Sequence, residues 1–461
     1  MYFTELRFLA FFLIVYAVVW SLPKNSWRKP WLLIASYAFY AGWDWRFLSL
    51  IVISTLVDFF VGLRLEREDR VAKRKLWLGV SLVSNLGILG VFKYYNFFVD
   101  SAVELASQLG WSLSSTTRDI VLPVGISFYT FQTLSYTLDV YKRRLAPIHN
   151  LGDFALFVAF FPQLVAGPIV RASSFLPQLR EKRVFWSIPF RTYLILFLFG
   201  FVKKAVVADN FATIVDEVFA DPAAYGVAGH WLGLGMYSVQ IYCDFSGYSD
   251  MAIAIAGLLG YHLVENFHFP YVARSITDFW RRWHISLSTW FRDYVYISLG
   301  GNRGSALRTY FNLVLVFFTC GLWHGASWNF VAWGLFHGFF LVFERVLGWG
   351  DKRSLISWTY TVLIASLAWV FFRSPDLSSS LAYFDGLFGL AVTDTPRALA
   401  AGWWVALAGF ALIHVWMSRD RISATLAALP TPVFSVAWGA AAALAVLWSS
   451  SEHQPFIYFQ F

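Results

Sequence analysis

The chain has 461 residues, of which 58% are hydrophobic and 14% charged, with a formal net charge of +8. A soluble globular chain carries about a quarter charged residues, and continuous rather than alternating apolar runs exclude a β-barrel. The composition therefore predicts an all-α polytopic membrane protein with about 10–12 transmembrane helices plus re-entrant and interfacial helices. The basic excess falls in short loops between apolar runs, the pattern of a positive-inside bias rather than of a nucleic-acid partner. Cys243 and Cys320 both lie in apolar context and suggest neither a disulfide framework nor a metal site. The first apolar run lacks a basic n-region and a small-residue cleavage site, so it reads as a retained anchor. No internal repeat and no soluble domain is evident, and residues 1–461 read as one integral membrane domain.

In chain order, a first span runs from Phe8 to Trp20, followed by Lys24, Arg28 and Lys29. A short run, Trp31 to Tyr40, breaks at Gly42-Trp43-Asp44-Trp45-Arg46 and resumes from Phe47 to Leu63. Asp58, the only charge of that span, is expected to face a neighbouring helix. A strongly basic loop follows, then a span from Leu76 to Phe92 ending in a belt at Lys93-Tyr94-Tyr95-Asn96. Pro123 and Gly125 kink the entry to a helix that ends near Asp139. Pro162, Gly167 and Pro168 interrupt the run Phe154 to Val170, and the carbonyls they free need protein or water around them. A basic amphipathic stretch, Arg171 to Arg191, reads as interfacial. A span from Tyr193 is expected to end at Lys203 and Lys204.

The chain re-enters near Trp231 and reaches Tyr242-Cys243-Asp244-Phe245-Ser246-Gly247-Tyr248-Ser249-Asp250 before Met251 to Tyr261. Two carboxylates and several hydroxyls at the mouth of an apolar helix read either as a polar cap or as the lining of a polar tunnel. Phe279 to Tyr294 alternates arginines with aromatics and is too charged to span, so it should lie in the interface or dip into it. Asn312 to Trp323 climbs into the membrane to His324, and Val331 to Leu347 continues; Trp358 to Phe372, Trp403 to Met417 and Val433 to Trp448 are later spans.

The stretch Cys320-Gly321-Leu322-Trp323-His324-Gly325-Ala326-Ser327-Trp328-Asn329-Phe330 carries the most chemistry. A lipid-embedded histidine needs a partner or a task, and imidazole moves protons near neutral pH. The plainer alternative is a histidine bonded to a backbone carbonyl. Gly321 with Gly325, and Gly334 with Gly338, are Gly-x-x-x-Gly pairs that allow close helix contact. His337 lies about 220° around a continuous helix of 3.6 residues per turn and would point away from His324, as a structural residue. His284 sits among Arg281, Arg282, Trp280 and Trp283; it reads as a second active-site group or as an interfacial residue. The arginines suit an anionic ligand such as a coenzyme A or phosphopantetheine phosphate, or anionic lipid headgroups. A nucleophile elbow, a Walker motif, a dinucleotide fingerprint and a zinc-spaced His–Glu pair are all missing from the sequence. Hydrolase, ATPase, oxidoreductase and metalloenzyme readings weaken accordingly, while a transporter built on broken helices stays open.

The motifs taken together resemble the membrane-bound O-acyltransferase family, and within it the alginate-type branch that O-acetylates bacterial exopolysaccharides. The resemblance covers nearly the whole chain. It rests on Leu122–Phe128, Phe160–Pro168, Asp244–Asp250, Asp278–Tyr294, Leu322–Phe330 and the ending Pro455–Phe461. It implies that His324 is the essential histidine, and that His284 matches an upstream active-site position that is asparagine in many eukaryotic members. Asp244, Ser246, Tyr248, Arg281, Arg282, Trp283, Trp323, Trp328 and Asn329, on the same motifs, are the expected substrate-binding residues. The family pattern implies a multi-pass protein of the bacterial inner membrane with no bound cofactor or metal. A cytoplasmic thioester, expected to be acetyl-CoA, would give its acyl group to a periplasmic acceptor. The expected partners are an SGNH-type acetyltransferase, a polysaccharide and membrane lipids. D-alanylation of a cell-wall polymer, and non-catalytic transport of acetyl groups or lipid-linked sugars, are the alternatives.

Overall fold

The computed structural model describes residues 2–114, 116–165, 167–349, 354–391, 395–417, 419–450 and 454–457, without the side chains of 419–421. Ala166, within the Phe160–Pro168 motif, and residues 458–461 of the ending therefore lie outside the described residues. The described chain is built of helices joined by turns and short loops, as expected for a backbone that must satisfy its own polar groups in lipid. Four helical stretches, Asn25–Arg67, Val71–Gln108, Ala306–His324 and Leu355–Arg373, are long and apolar enough to cross a membrane. Leu6–Ser21, Ala401–Trp416 and Thr431–Leu447 are shorter apolar helices. The molecule is an all-α, multi-pass membrane protein. The chain divides into two compact units, residues 1–188 with 255–264, and residues 189–254 with 265–461.

In the first unit, the break predicted at Gly42–Arg46 is a single 3₁₀ turn, Trp45–Phe47, between helices Asn25–Asp44 and Leu48–Arg67. The Asp44 carboxylate holds that turn by accepting from the Arg46 backbone N–H at 3.0 Å and pairing with its guanidinium at 2.6 Å. Asp58 faces neighbouring helices, as expected. It is fully buried and accepts hydrogen bonds from Ser81, from Asn85 Nδ2 at 2.8 Å and from Thr137 at 3.0 Å. A buried carboxylate is tolerable only with such donors. The belt predicted at Lys93–Asn96 is a π-helical turn, Gly90–Tyr94, through which the helix continues to Gln108. The polarity of that stretch was a weaker signal than the continuity of its backbone bonds. Gly125 starts the helix Ile126–Tyr141 at φ 75°, a left-handed geometry, and a Cβ there would meet the carbonyl of Leu164. The run Phe154–Val170 is broken, as its prolines predict: Leu151–Ala159 ends at Phe160, and a short helix covers Phe161–Leu164. The buried backbone is satisfied by side chains, with Gln163 Nε2 donating to the Phe157 carbonyl at 2.6 Å and Ser36 Oγ accepting from Phe161 N–H at 3.1 Å.

The second unit contains every residue singled out for chemistry. Lys203 and Lys204 do not end a span: Phe190–Phe201 passes through a π-helical stretch, Val202–Ala208, into Asp209–Ala220. Both lysines pair with acids of the next long helix, Lys203 with Asp250 and Lys204 with Asp244. That helix, Val227–Leu258, has 32 residues and carries Tyr242–Asp250 in its buried middle, not at a mouth. Gly200 and Gly247 let the two helices touch, since a Cβ on either would meet the carbonyl of the other at 2.6 or 2.7 Å. The stretch Phe279–Tyr294 forms short helices, Ile276–Arg282 and Ile285–Trp290, broken at Trp283–His284 and followed by a π-helical turn. Helices Ala306–His324 and Trp328–Val346 form a tight hairpin, and Leu355–Arg373 packs beside them.

Candidate active site

His324 is the last residue of its helix. Gly325 turns the backbone extended, at φ −158° and ψ 151°, and the chain reverses through Gly325–Ser327 into Trp328–Val346. Glycine is required for this hairpin by contact. A Cβ on Gly321 would run into the Phe330 carbonyl, one on Gly334 into the Phe317 carbonyl, and one on Gly325 into the Phe330 ring. Gly321 and Gly334 therefore face each other across the hairpin, the close helix contact that the Gly-x-x-x-Gly spacing allows. The reversal removes the continuous helix assumed for the 220° separation of His337 from His324. The two rings are instead separated by an indole: Trp333 lies 4.8 Å from His324 and 5.0 Å from His337. His337 Nδ1 accepts from Trp280 Nε1 at 3.4 Å, a bond that fits a structural residue.

His324 is 2% exposed and walled by Trp333, Trp323 at 5.1 Å and Phe372 at 5.4 Å. His284 approaches it edge-on, with ring centres 6.4 Å apart. His284 sits in left-handed backbone, at φ 43° and ψ 54°, as the residue that starts Ile285–Trp290. Such geometry costs a non-glycine residue about 1–3 kcal/mol and gathers at functional sites. Asn266 holds it there. Its Oδ1 accepts from Ser286 N–H at 3.2 Å, from Ser286 Oγ at 2.8 Å and from His284 Nδ1 at 3.1 Å, while its backbone carbonyl accepts from Ile285 N–H at 2.9 Å. An atom that accepts from a backbone N–H is the amide oxygen, so His284 Nδ1 carries a proton, and in the neutral ring Nε2 carries the lone pair.

The remaining sequence candidates separate by position. Trp323 lies 5.9 Å from the His284 ring as well as against His324. Trp283 is buried one layer further out, against Trp369 at 4.8 Å and Phe267 at 5.1 Å. Arg282 pairs with Asp278 at 3.0 Å. Asn329 Nδ2 donates to the Ser374 carbonyl at 2.7 Å, tying the hairpin loop to the end of Leu355–Arg373, and Trp328 is 51% exposed. Asp244 is held in a buried ion cluster: Lys204 Nζ lies 2.5 Å from Asp244 and 2.7 Å from Asp209, and Ile457 N–H donates to Asp244 at 2.9 Å. Phe456 packs on Phe245 and Tyr248, and Phe245 stands edge-on to His284 at 4.6 Å. Ser246 is buried in the same helix layer. Sequence reasoning missed Asn266, Trp333, Phe372 and Lys204. None of the four stood out in the sequence; Asn266 follows charged Glu265 and precedes Phe267.

A cavity of about 800 Å³ lies against the same helices. Its walls include Ile285, Leu313, Val316, Phe317 and Cys320, and Arg281, Arg292 and Arg345 also line it. Arg281 and Arg345 are exposed. Cys320 is one helical turn before His324, so the cavity reaches to within about 6 Å of rise along that helix. The volume suits a cofactor-sized ligand, and exposed guanidinium groups suit phosphate. Glu344, also in its wall, accepts from the N–H groups of Ile276 at 2.6 Å and Thr277 at 3.3 Å, fixing the start of the helix that leads to His284. Among the described residues no group of three or more His, Cys, Asp or Glu side chains could hold a metal ion.

Comparison with known proteins places this geometry in context. The model of the membrane-bound O-acyltransferase family matches residues 106–371. The "Probable alginate O-acetylase AlgI" of Pseudomonas aeruginosa is 43% identical over 87% of this chain and 78% of its own length. That of Azotobacter vinelandii is 40% identical over 93% and 87%. The "Peptidoglycan O-acetyltransferase" of Helicobacter pylori is 39% identical over 81% and 76%. With a family model over more than half of the chain and relatives of this identity over most of it, the chain belongs to the membrane-bound O-acyltransferase family and is an O-acyltransferase.

Proposed function

We propose that the protein takes an acetyl group from a cytoplasmic thioester, acetyl-CoA, and passes it through the bacterial inner membrane to a periplasmic hydroxyl for polysaccharide O-acetylation. The observation that carries this reading is the pairing of His324 and His284 beside a large cavity with arginines in its wall. Arg281, Arg292 and Arg345 would hold the donor's phosphates, and the apolar walls toward Cys320 would take the pantetheine arm. His324 acts as general base. It takes the hydroxyl proton as the oxygen attacks the thioester carbonyl, the C–S bond breaks, and the proton passes to the departing thiolate. With the Nδ1 proton of His284 given to Asn266, its Nε2 offers a lone pair, which supports orienting a hydroxyl and argues against donating to an oxyanion. Trp323, Trp333 and Phe372 keep water from the thioester. The acceptor is a serine of an SGNH-type partner or a sugar hydroxyl. The names of the alginate and peptidoglycan O-acetylating relatives favour acetylation of a glycan over D-alanylation.

The test is complementation of cells lacking the gene with wild type, His324→Ala or His337→Ala at matched membrane levels, scoring O-acetyl groups on envelope polysaccharide. Loss with His324→Ala and retention with His337→Ala is expected. Acetylation that survives His324→Ala removes the assignment and restores the transport alternative, which would also leave labelled acetyl-CoA uncleaved.

A further inference from the structure

Residues 454–457 are tied to the second unit on both sides of Phe456. Lys204 Nζ donates to the Gln454 carbonyl at 3.1 Å, and Ile457 N–H donates to Asp244 at 2.9 Å. Both anchors belong to the buried Lys204–Asp244 ion pair, so the path of this segment is fixed by charges that are themselves fixed. Pro455 is exposed, whereas Phe456 is fully buried. Its ring packs on Tyr248 at 4.7 Å and on Phe245 at 5.5 Å. Phe245, also fully buried, stands edge-on to His284 at 4.6 Å, and the His284 ring in turn lies 6.4 Å from that of His324. A continuous line of ring contacts therefore runs from Phe456 to the candidate active site. The bond from Nδ1 to Asn266 fixes which edge of the imidazole faces the amide, but one hydrogen bond leaves the ring free to tilt about it. Phe245 and Phe267, the latter stacked on His284 at 6.3 Å, are walls that limit the tilt. An apolar wall holds a ring only if it is held from behind, and Phe456 is part of what lies behind Phe245.

We propose that Phe456 is a positioning residue for acyl transfer: by backing Phe245 it fixes the tilt of the His284 imidazole, and with it the direction of the Nε2 lone pair. The inference rests on the acyltransferase reading above and adds to it a residue far along the chain from either histidine. Protein interiors are close-packed, so a void behind Phe245 is filled in part by its ring moving back, which removes the wall from His284. A displacement of about 1 Å in a group that orients a reacting hydroxyl costs about a hundredfold in rate. Neither Phe245 nor Phe456 is in the wall of the donor cavity, so the loss falls on turnover and not on donor binding.

The experiment uses the full chain in membranes of complemented cells, with acetyl-CoA as donor and the acceptors those membranes carry, and follows release of CoA. Phe456→Ala is expected to lower kcat by about tenfold to a hundredfold and to leave the KM for acetyl-CoA unmoved. Phe456→Leu, which refills most of the space, should recover most of the rate. Because Phe456 acts through the imidazole, the two positions are coupled: in His284→Asn, adding Phe456→Ala should cost no more than about twofold. A readout without turnover is the rate at which diethyl pyrocarbonate modifies His284 in the purified protein, followed by mass spectrometry. That rate should rise several-fold in Phe456→Ala, while His337, walled by Trp280 and Trp333, keeps its own. A wild-type kcat in Phe456→Ala, a raised KM for acetyl-CoA with kcat kept, equal losses in the wild-type and His284→Asn backgrounds, an unchanged His284 modification rate, or a rise at both histidines alike would each overturn the positioning role. Release of CoA by wild type no faster than by His324→Ala would instead overturn the acyltransferase reading, and the modification rates would still report on how the His284 ring is held.

Discussion

At the scale of the residue, His284 shows how backbone and chemistry are tied. Its left-handed geometry suits asparagine and histidine better than alanine. His284→Asn should therefore keep the turn into Ile285–Trp290 and lose activity by about tenfold to a hundredfold. His284→Ala should lose both activity and thermal stability. Transfer assays and melting curves on matched detergent samples separate the two effects. Lys204 makes a second prediction. It is 1% exposed between Asp209 and Asp244, and removing one member of a buried ion cluster costs about 3–5 kcal/mol. Lys204→Met should lower the melting midpoint clearly, and adding Asp209→Asn and Asp244→Asn should restore much of the loss. An unchanged midpoint in Lys204→Met would show that the cluster contributes nothing to stability.

At the scale of the element, the hairpin Ala306–His324 and Trp328–Val346 sets where His324 ends up. Its closeness depends on glycines whose missing Cβ atoms are replaced by backbone carbonyls of the facing helix. Gly321→Ala or Gly334→Ala should force the helices apart at a cost of about 1–3 kcal/mol. The readout is a lower melting midpoint and reduced acetyl transfer. Gly439→Ala, where a Cβ meets nothing within 4 Å, is the control and should change neither. The glycine spacing was legible because close packing of helices needs small residues at fixed intervals. The reversal at Gly325–Ser327 was not. Glycine within an apolar run is compatible with a continuing helix, and only the packing of Gly321 against Gly334 selects the hairpin.

At the scale of the whole molecule, the donor cavity is an assembly of short helices and long ones that no single stretch encodes. Cys320→Trp should fill its end nearest His324 and raise the KM for acetyl-CoA by about tenfold or more, while the KM for acceptor stays put. A change in acceptor KM alone would place the donor elsewhere. Much of the molecule was already visible in its amino acids. Continuous apolar runs dictate helices because lipid offers the backbone no other partner. The histidine among tryptophans and glycines drew attention to the candidate site, because a polar group in such a setting needs a reason to be there. What only the tertiary structure decided is which polar residues find partners within the protein. Lys203, Lys204 and Asp244 read from the sequence as separate features, yet Lys203 pairs with Asp250 and Lys204 with Asp244 across two packed helices. Asn266 looked incidental and fixes the tautomer of His284. The reason is physical. A side chain's charge and hydrogen-bonding groups are set by its identity, but whether they are satisfied depends on partners far away along the chain, and those are known only once the helices have packed.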